Sequence, residues 1–374
     1  MDALMRDLRY AIRSLWKRPG FTTVAVIALA LGIGANTAIF SLINAVLLKP
    51  LPFAEPDRLV WMWGNIRNGG NRASVSPLDF LDYRRQNRTF EQFAAMLPVP
   101  LNLTGTGEPE RLTGAGVTGN YFQALGVAPL LGRTFVQENE NSGNDHVAVL
   151  SYGLWQKRFA GDAGIIDKTI TLDSETCAVI GVMPKEFNFP QSSELWVPLN
   201  FDRSPEMKQR KAHFLRPIGK LKPGVTLEQA QADTDIVARQ LEQQYPDTDT
   251  GWNLRLVSLR ERLVGNTKPT LFLLFGAVGF VLLIACANVA NLLLVRAASR
   301  QKEIALRTAL GASRFCIARQ MITESVLLAL IGGTFGVLLS AWGIDLLVKL
   351  SEGSIPPTAH VRIDLTVLGF TFLL

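Results

Sequence analysis

Two long apolar runs with a basic segment between them dominate the hydropathy pattern of this 374-residue chain. The runs cover residues 271–295 and 321–350, and the segment 296–320 reads RAASRQKEIALRTALGASRFCIARQ. A helix needs about 20 apolar residues to cross a hydrocarbon layer of about 30 Å, and each run is at least that long. The pattern therefore predicts a transmembrane hairpin with a positively charged tip, formed by the second and third membrane helices.

A further apolar run, residues 21–48, predicts the first transmembrane helix. A cleaved signal peptide is the alternative, because a basic region precedes the run and Ala28-Leu29-Ala30 has the form of a cleavage site. Cleavage there would leave an apolar core of only a few residues, whereas the apolar character continues to Leu48, so we favour an uncleaved anchor. Asn36 and Asn44 are candidates for hydrogen bonds to another helix.

Residues 1–20 predict an amphipathic helix on the cytoplasmic membrane surface. At about 100° per residue, apolar side chains share one side of this helix and basic side chains the other. The apolar side carries Leu4, Leu8, Ala11, Ile12 and Leu15, and the basic side carries Arg6, Arg9, Arg13 and Lys17. Pro19-Gly20 is expected to end the helix. The alternative is an ordinary surface helix of a soluble domain.

The segment 50–268 has the composition of a folded soluble domain. Stretches rich in β-branched residues predict strands at RLVWMW, HVAVLS, KTITLD, TCAVIGV, HFLRPIGKL and WNLRLVSL. Helices are predicted after Ser76-Pro77, over YGLWQKRF, and after a capping box formed by Thr226 and Gln229. Because strands and helices alternate irregularly, we predict an α+β domain inserted after the first membrane helix of an α-helical membrane protein.

The net charge of +6 is concentrated beside the apolar runs, while residues 50–268 are close to neutral. An isoelectric point of 9.3 would otherwise suggest nucleic acid as a partner. Short cytoplasmic loops of membrane proteins accumulate Lys and Arg, which explains the two basic blocks better. We therefore predict a cytoplasmic N-terminus and a cytoplasmic segment 296–320, a periplasmic domain 50–268, a periplasmic loop 351–364, and no nucleic-acid partner.

The last ten residues, 365–374, are apolar. As a helix they would span about 15 Å, or half of a bilayer. We interpret them as the start of a truncated fourth transmembrane helix, after three complete ones.

The tip of the hairpin is the first candidate for a mechanism. Residues 299–310 predict a short helix with Ser299 as its cap and Gly311 after its end. Glu303 and Arg307 are i,i+4 neighbours in the favourable order. Such a helix is suited to dock on a soluble partner. The alternative is a membrane-surface helix that only satisfies topology.

The third membrane helix carries the second candidate. Gly332, Gly336 and Ser340 form a small-residue stripe that permits close packing of another helix. Glu324, near the cytoplasmic end, is a carboxylate in or near hydrocarbon and needs a partner, which Arg319 or a helix of another chain would supply.

Signatures of catalysis are missing from the sequence. It has no G-x-x-x-x-G-K-[ST] phosphate loop, no G-x-S-x-G elbow and no H-E-x-x-H. The three histidines have no metal-ligand spacing. We expect no catalytic residue, no cofactor and no metal, and any ATP hydrolysis must come from another chain.

Several stretches resemble one family. The N-terminal stretch DLRYAIRSLWKRPGFTTVAVIALALGIGANTAIFSLINAVLLKPLPF resembles ABC transporter permeases of the macrolide-exporter (MacB) and FtsX type, especially the acidobacterial duplicated orphan permeases. GVTGNYFQALGVAPLLGRTF, VAVLSYGLWQKRF and VIGVMPKEFNFP are similar to the periplasmic core domain of that family. EIALRTALGASR, followed by ITES, resembles its cytoplasmic loop.

The resemblance implies a multi-pass permease of the bacterial inner membrane, with four membrane helices per unit. Such permeases act in efflux or mechanotransmission, contact membrane lipid, and work with an ABC ATPase subunit. Pairing as a homodimer or with a second permease half is expected, and a periplasmic adaptor fits the same scheme. By position, the segment that meets the ATPase would include Glu303, Ile304, Arg307, Gly311 and Ala312.

We therefore predict a permease subunit, or the N-terminal half of one, that couples a separate ATPase to movement of a periplasmic domain. The alternative is a membrane-tethered periplasmic receptor or regulator of an external partner such as a hydrolase.

Overall fold

The computed structural model describes residues 9–13, 15–17, 19–49, 51–66, 73–105, 108–265, 267–299, 314–350 and 363–374. The chain divides into two compact units. The membrane unit contains residues 1–49, 266–355 and 359–374, and the inserted unit contains residues 50–265 and 356–358.

The helices, in chain order, are α1 (Pro19–Ile43), α2 (Pro77–Gln86), α3 (Tyr121–Leu125), α4 (Tyr152–Phe159), α5 (Leu227–Gln244), α6 (Pro246–Asp249), α7 (Leu259–Val264), α8 (Lys268–Ser299), α9 (Arg314–Leu350) and α10 (Leu365–Leu373). The strands are β1 (Leu59–Ile66), β2 (Phe90–Thr104), β3 (Glu110–Val117), β4 (Leu131–Gly132), β5 (Val147–Leu150), β6 (Thr169–Leu172), β7 (Glu175–Val182), β8 (Leu195–Pro198), β9 (Arg216–Leu221) and β10 (Trp252–Ser258). A π-helical turn, Asn44–Leu48, extends α1.

Three helical stretches of the membrane unit are long and apolar enough to cross a membrane. In the described part of the chain they are Pro19–Leu48, Lys268–Val295 and Ala318–Leu346. They fall on the three apolar runs of the sequence. The chain is therefore a multi-pass membrane protein with a large domain inserted between its first two spans.

Helical structure extends beyond the apolar runs on both sides of the basic segment 296–320. Ser299, which the sequence suggested as the cap of a separate short helix, is itself helical and belongs to α8. The rest of that predicted helix, residues 300–310, lies outside the described residues. Arg314 is the first residue of α9. Alanine and arginine are among the best helix formers, so a helix does not have to end where hydrophobicity ends.

The N-terminal segment is helical at residues 9–13 and 15–16. Ala11 and Leu15 are buried, and Leu15 packs in an apolar cluster with Val289 of α8 and Leu328 of α9. Ile12, predicted on the same apolar side, is 45% exposed. Leu4 and Leu8, on the same predicted side, lie outside the described residues.

The inserted unit is built on one mixed sheet. Its strand order is β10-β1-β9-β2-β3-β8-β5-β7-β4, and β6 pairs with β2 and β7. Most pairs are antiparallel, but β3 with β8 and β5 with β7 are parallel. The mixture of pairings and the irregular helices confirm the α+β prediction for this unit.

Successive side chains of β1 belong to two different hydrophobic clusters of the inserted unit, one on each face of the sheet. Val60 and Met62 belong to one buried cluster, with Phe80 of α2 and Val237 of α5. Trp61 belongs to another cluster on the opposite face. Successive side chains of a strand point to opposite faces, so a single strand contributes to both layers.

Local signals placed several helix starts correctly. Ser76 accepts a hydrogen bond from the Asp79 amide at the start of α2. Thr226 and Gln229 form the predicted capping box of α5. The Ser76 and Thr226 side chains accept hydrogen bonds from backbone N–H groups that have no partner within the first turn of a helix.

Sequence reasoning missed β2, β3, β4 and β8. Pro98 and Pro100 argue against a strand, because proline cannot donate to a ladder. In the structure both prolines pair with β3 on one side, while β9 covers β2 only from Phe90 to Met96 on the other. The prolines therefore lie on a stretch of β2 that is locally an edge, where the missing N–H costs nothing.

Candidate functional site

In the described part of the membrane unit, α1 and α9 pack closely against each other. A Cβ atom built on Gly336 would lie 3.1 Å from the Gly34 nitrogen and 3.2 Å from the Ala30 carbonyl oxygen. A Cβ atom on Gly34 would lie 2.9 Å from the Gly336 carbonyl oxygen. Glycine at both positions lets the two backbones touch, as in small-residue contacts between membrane helices.

The other small residues of the stripe also lie in the membrane unit's interior. A Cβ atom on Gly332 would lie 2.6 Å from the Leu29 Cβ atom. Ser340 is buried, and its hydroxyl donates to the Val337 carbonyl of its own helix at 2.8 Å. Glu324 is buried as well, with 4% of its surface exposed. The structure thus brings Gly332 and Gly336 against α1.

Contact between α1 and α8 uses a glycine and an amide. A Cβ atom on Gly32 would lie 3.3 Å from the Ala285 Cβ atom. Asn36 donates from Nδ2 to the Val278 carbonyl oxygen of α8 at 2.8 Å. The predicted hydrogen bond from Asn36 to another helix is confirmed.

Two hydrogen bonds and a stacked pair of aromatic rings join α1 to the helix α10 and its N-cap. Thr37 and Thr371 share a hydrogen bond of 3.0 Å between their hydroxyl oxygens. The Phe40 and Phe370 rings stack with centroids 4.0 Å apart. Near the end of α1, Asn44 donates from Nδ2 to Oδ2 of Asp364 at 3.0 Å.

Asp364 connects the end of α1 to the start of α10. Its Oδ1 accepts the Val367 amide at 3.0 Å as an N-cap, and its Oδ2 lies 3.0 Å from Nζ of Lys49. These bonds hold the pKa of Asp364 below its ordinary value, with the Val367 amide the largest cause and Lys49 next. Sequence reasoning assigned Asp364 only to a loop, although an aspartate directly before an apolar run is a cap signal.

The predicted ATPase-coupling residues, Glu303, Ile304, Arg307, Gly311 and Ala312, lie outside the described residues. The structure describes the helices on either side of them, α8 as far as Ser299 and α9 from Arg314.

Arg210 organises a second polar cluster, in the inserted unit. Its guanidinium pairs with Asp79, with Asp82 at 2.7 Å and with Asp249 at 3.6 Å. The same guanidinium lies 3.7 Å from the centre of the Tyr245 ring. The cluster thus joins α2 and α6 to the segment before β9. In the described part of the chain, no group of three or more His, Cys, Asp and Glu side chains is placed to hold a metal.

Burial is the largest influence on the pKa values of Asp79 and Asp249 in this cluster. The pKa of Asp79 is raised to about 6, chiefly by burial and next by the charge of Asp249, while hydrogen bonds from Ser76 and Arg210 act in the opposite direction. Burial also raises the pKa of Asp249 above its ordinary value. An unpaired carboxylate would be costly in this environment, which is why the positive charge of Arg210 is needed there.

We expect the free energy of unfolding of the inserted unit to fall as the pH rises from about 4 to about 6. In this window folded Asp79 still holds a proton that the unfolded chain has released, so the folded state binds more protons. The rise in the pKa of Asp79 from 3.8 to about 6 corresponds to a decrease of at most about 3 kcal/mol in the free energy of unfolding. Asp79→Asn should remove most of this dependence and leave the part due to Asp249, whereas Asp247→Asn, at an exposed position, should keep all of it.

Denaturant unfolding of the full chain in nanodiscs at several pH values, followed by tryptophan fluorescence, measures this effect. An Asp79→Asn chain with the same pH slope as the unsubstituted chain would show that the buried carboxyl does not titrate in this window.

Two family models match the chain. The model described as MacB-like periplasmic core domain matches residues 22–236, and the model described as FtsX-like permease C-terminal matches residues 275–374. The first match covers more than half of the chain and includes most of α1 and most of the inserted unit. The second includes most of α8, all of α9 and α10, and the basic segment between α8 and α9.

Proteins similar in sequence to this chain agree with these family matches. The macrolide export ATP-binding/permease protein MacB of Neisseria gonorrhoeae is 31% identical over 230 residues, which are 60% of this chain and 34% of that protein. The protein of the same name from Escherichia coli K12 is 29% identical over 267 residues, which are 69% of this chain and 40% of that protein. The matched region thus spans between a third and two fifths of these relatives.

Among solved structures, the periplasmic region of MacB from Actinobacillus actinomycetemcomitans aligns with a TM-score of 0.43 and 14% identity. The alignment covers 62% of this chain and 96% of that one. The family assignment rests on the sequence matches.

A multi-pass membrane protein with an α+β domain inserted after its first span is the class of protein that the fold defines. The family matches make that class specific. The chain belongs to the family of MacB/FtsX-type ABC transporter permeases. Members of this family are inner-membrane proteins whose inserted domain is periplasmic, and the comparisons give no support to the tethered-receptor alternative.

Proposed function

We propose that the chain is a permease subunit that couples ATP hydrolysis by a separate ABC ATPase to movement of its periplasmic domain, in efflux or mechanotransmission. The observation that carries the proposal is the presence, on one chain, of a periplasmic core match over residues 22–236 and a permease match over residues 275–374. Export of macrolides is what the names of the relatives describe. For this chain we propose the class of activity, not that substrate.

The basic segment between α8 and α9 is proposed to be the surface that meets the ATPase. Glu303, Ile304, Arg307, Gly311 and Ala312 would form it, on the cytoplasmic side together with the N-terminus. Two facts support this assignment. The segment joins two helices of membrane-spanning length and composition, and it carries the dense positive charge that cytoplasmic loops accumulate.

We propose that α1 transmits the motion. It contacts α8 through Asn36, α9 through Gly34 and α10 through Phe40, and Lys49 then leads directly into the inserted unit. Packed helices with close backbone contact move together rather than deforming. Gly332, Gly336, Ser340 and Glu324 would act here as packing residues that keep α9 coupled to α1.

In this proposal the functional assembly contains two permease units, either as a homodimer or with a second permease half. Lipid contacts the outward sides of the spans, where many apolar side chains of α8 and α9 are exposed, such as Phe280 and Leu338. A periplasmic adaptor is a further proposed partner of the inserted unit.

Affinity purification of the tagged full chain from membranes of its own host tests the proposal. An ABC ATPase with a phosphate loop should co-purify, and its rate of ATP hydrolysis should change several-fold when the chain is added in nanodiscs. If no such ATPase is recovered, or if its rate is the same with and without the chain, the proposal is wrong.

A further inference from the structure

A polar cleft of about 550 Å³ opens on the inserted unit. It lies where the end of α2, the start of β2, the start of α3 and the short turn 137–140 come together. Pockets that hold small-molecule ligands typically measure about 300 to 1,000 Å³. The proposed coupling of ATPase and permease does not involve this cleft.

One wall of the cleft is held rigidly by a buried carboxylate. Glu140 has a side chain that is 6% exposed. It accepts hydrogen bonds from Arg84 Nη1 at 2.9 and 3.0 Å, and from the Gly119 amide at 2.9 Å. The Arg84 guanidinium also lies 5.3 Å from the centre of the Phe80 ring. The cleft is therefore preorganised before any ligand enters, which lowers the entropy cost of binding.

Every charged side chain that lines the cleft has an opposite charge beside it. Arg84 pairs with Glu140 at 2.9 Å, and Arg85 pairs with Asp82 at 2.9 Å. Glu91 pairs with Arg58. The lining carries two positive and two negative side chains, so its formal charges cancel. Such a lining selects neither an anion nor a cation.

Neutral amide groups supply the remaining polar atoms. Asn120 accepts from the Thr118 hydroxyl at 3.0 Å and donates to Oε1 of Gln92 at 2.9 Å, which fixes both side chains. Within the described residues, Nε2 of Gln92 and the whole side chain of Gln137 take part in no hydrogen bond. These groups are donors and acceptors available to a neutral partner with several hydroxyl groups.

Apolar surface in the cleft is small. Phe90 and Phe93 contribute to the lining but are only 6% and 3% exposed. Pockets that recognise the side chains of a peptide need open apolar surface. This lining therefore suits hydroxyl groups better than peptide side chains.

We propose that the cleft binds a neutral saccharide, with the amide side chains of Gln92 and Gln137 as the recognising groups and Asn120 holding Gln92 in place. It is a ligand site of the inserted unit that is separate from the ATPase-coupling surface. Its occupancy gives the periplasmic domain a means of sensing or presenting a carbohydrate.

Saturation-transfer NMR and calorimetry on the full chain in nanodiscs test the proposal with defined probes. Maltotriose and triacetylchitotriose represent neutral saccharides, inorganic phosphate represents anions, and the tripeptide Gly-Leu-Phe represents peptides. We expect saturable binding of at least one trisaccharide and none of phosphate or the tripeptide.

The variants locate the site. Gln137→Ala changes an exposed side chain that makes no hydrogen bond and should leave folding intact, and Gln92→Ala removes a second amide. The double variant should weaken trisaccharide binding about thirtyfold, which corresponds to the loss of two hydrogen bonds, about 2 kcal/mol in all. Gln191→Ala, at another exposed position of the same unit, should have no effect.

Three results would overturn the proposal. Neither trisaccharide binds, or phosphate or the tripeptide binds in a manner sensitive to Gln137→Ala, or the double variant binds the trisaccharide as tightly as the unsubstituted chain. None of these readouts depends on an ATPase, so they are independent of the test of the proposed function.

Discussion

Gly336→Leu is expected to lower the stability of the membrane unit by about 3 kcal/mol and to abolish coupling between α1 and α9. A leucine side chain would have to begin about 3 Å from the Gly34 nitrogen and the Ala30 carbonyl oxygen. Both obstacles are backbone atoms, which cannot rotate away as a side chain can, so the helices must separate. Thermal unfolding of the full chain in detergent, followed by size-exclusion chromatography, measures the change.

Gly333→Leu is the matched control. It makes the same substitution three residues earlier on the same helix, where a Cβ atom would meet no atom within 4 Å. We expect its melting temperature to stay close to that of the unsubstituted chain. Gly336→Ala should lie between the two. If Gly336→Leu and Gly333→Leu behave alike, the contact between α1 and α9 does not have the geometry described above.

Charge reversal in the basic segment is expected to have the largest effect on function. Glu303→Lys and Arg307→Glu should each reduce ATPase binding and the change in ATPase rate by more than tenfold. A like charge placed against a partner at an interface costs several kcal/mol, and about 1.4 kcal/mol already corresponds to tenfold. Both variants should insert into the membrane normally, because the apolar runs are unchanged.

The control for these variants is Glu138→Lys, a charge reversal at an exposed position of the inserted unit. It should bind and regulate the ATPase like the unsubstituted chain. ATPase co-purification and rates measured in parallel on equal amounts of inserted protein separate loss of coupling from loss of protein. Normal binding and normal rates in both Glu303→Lys and Arg307→Glu would remove the segment from the interface.

The membrane spans and the close-packing glycines of α9 could be predicted from the sequence because each depends on one strong signal. The three spans follow from apolar length, and the small residues Gly332 and Gly336 follow from their spacing. Their partner on α1 was not readable. Gly34 is one of several small residues on a helix that is apolar all round, so no stripe marks the side that faces α9.

In the inserted unit, the predictable elements were those with strong local patterns. Helix caps at Ser76 and Thr226 and strands rich in β-branched residues fall into this group. The strand β2 and the Arg210 cluster depend instead on chain segments that are distant in sequence. Arg210 is more than 100 residues from Asp79, and no local pattern joins them. Strand pairing and ion clusters between distant segments form only in the tertiary fold, so local sequence patterns do not predict them.

The most direct test of the account is the accessibility of single cysteines on the two sides of the membrane. Cys177, Cys286 and Cys316 are first replaced by alanine, and Thr308→Cys and Glu186→Cys are then introduced separately. A membrane-impermeant maleimide applied to spheroplasts should label the chain with Glu186→Cys at once, and the chain with Thr308→Cys only after the inner membrane is permeabilised. Labelling of Thr308→Cys in intact spheroplasts would place the basic segment on the periplasmic side and contradict its proposed contact with an ATPase.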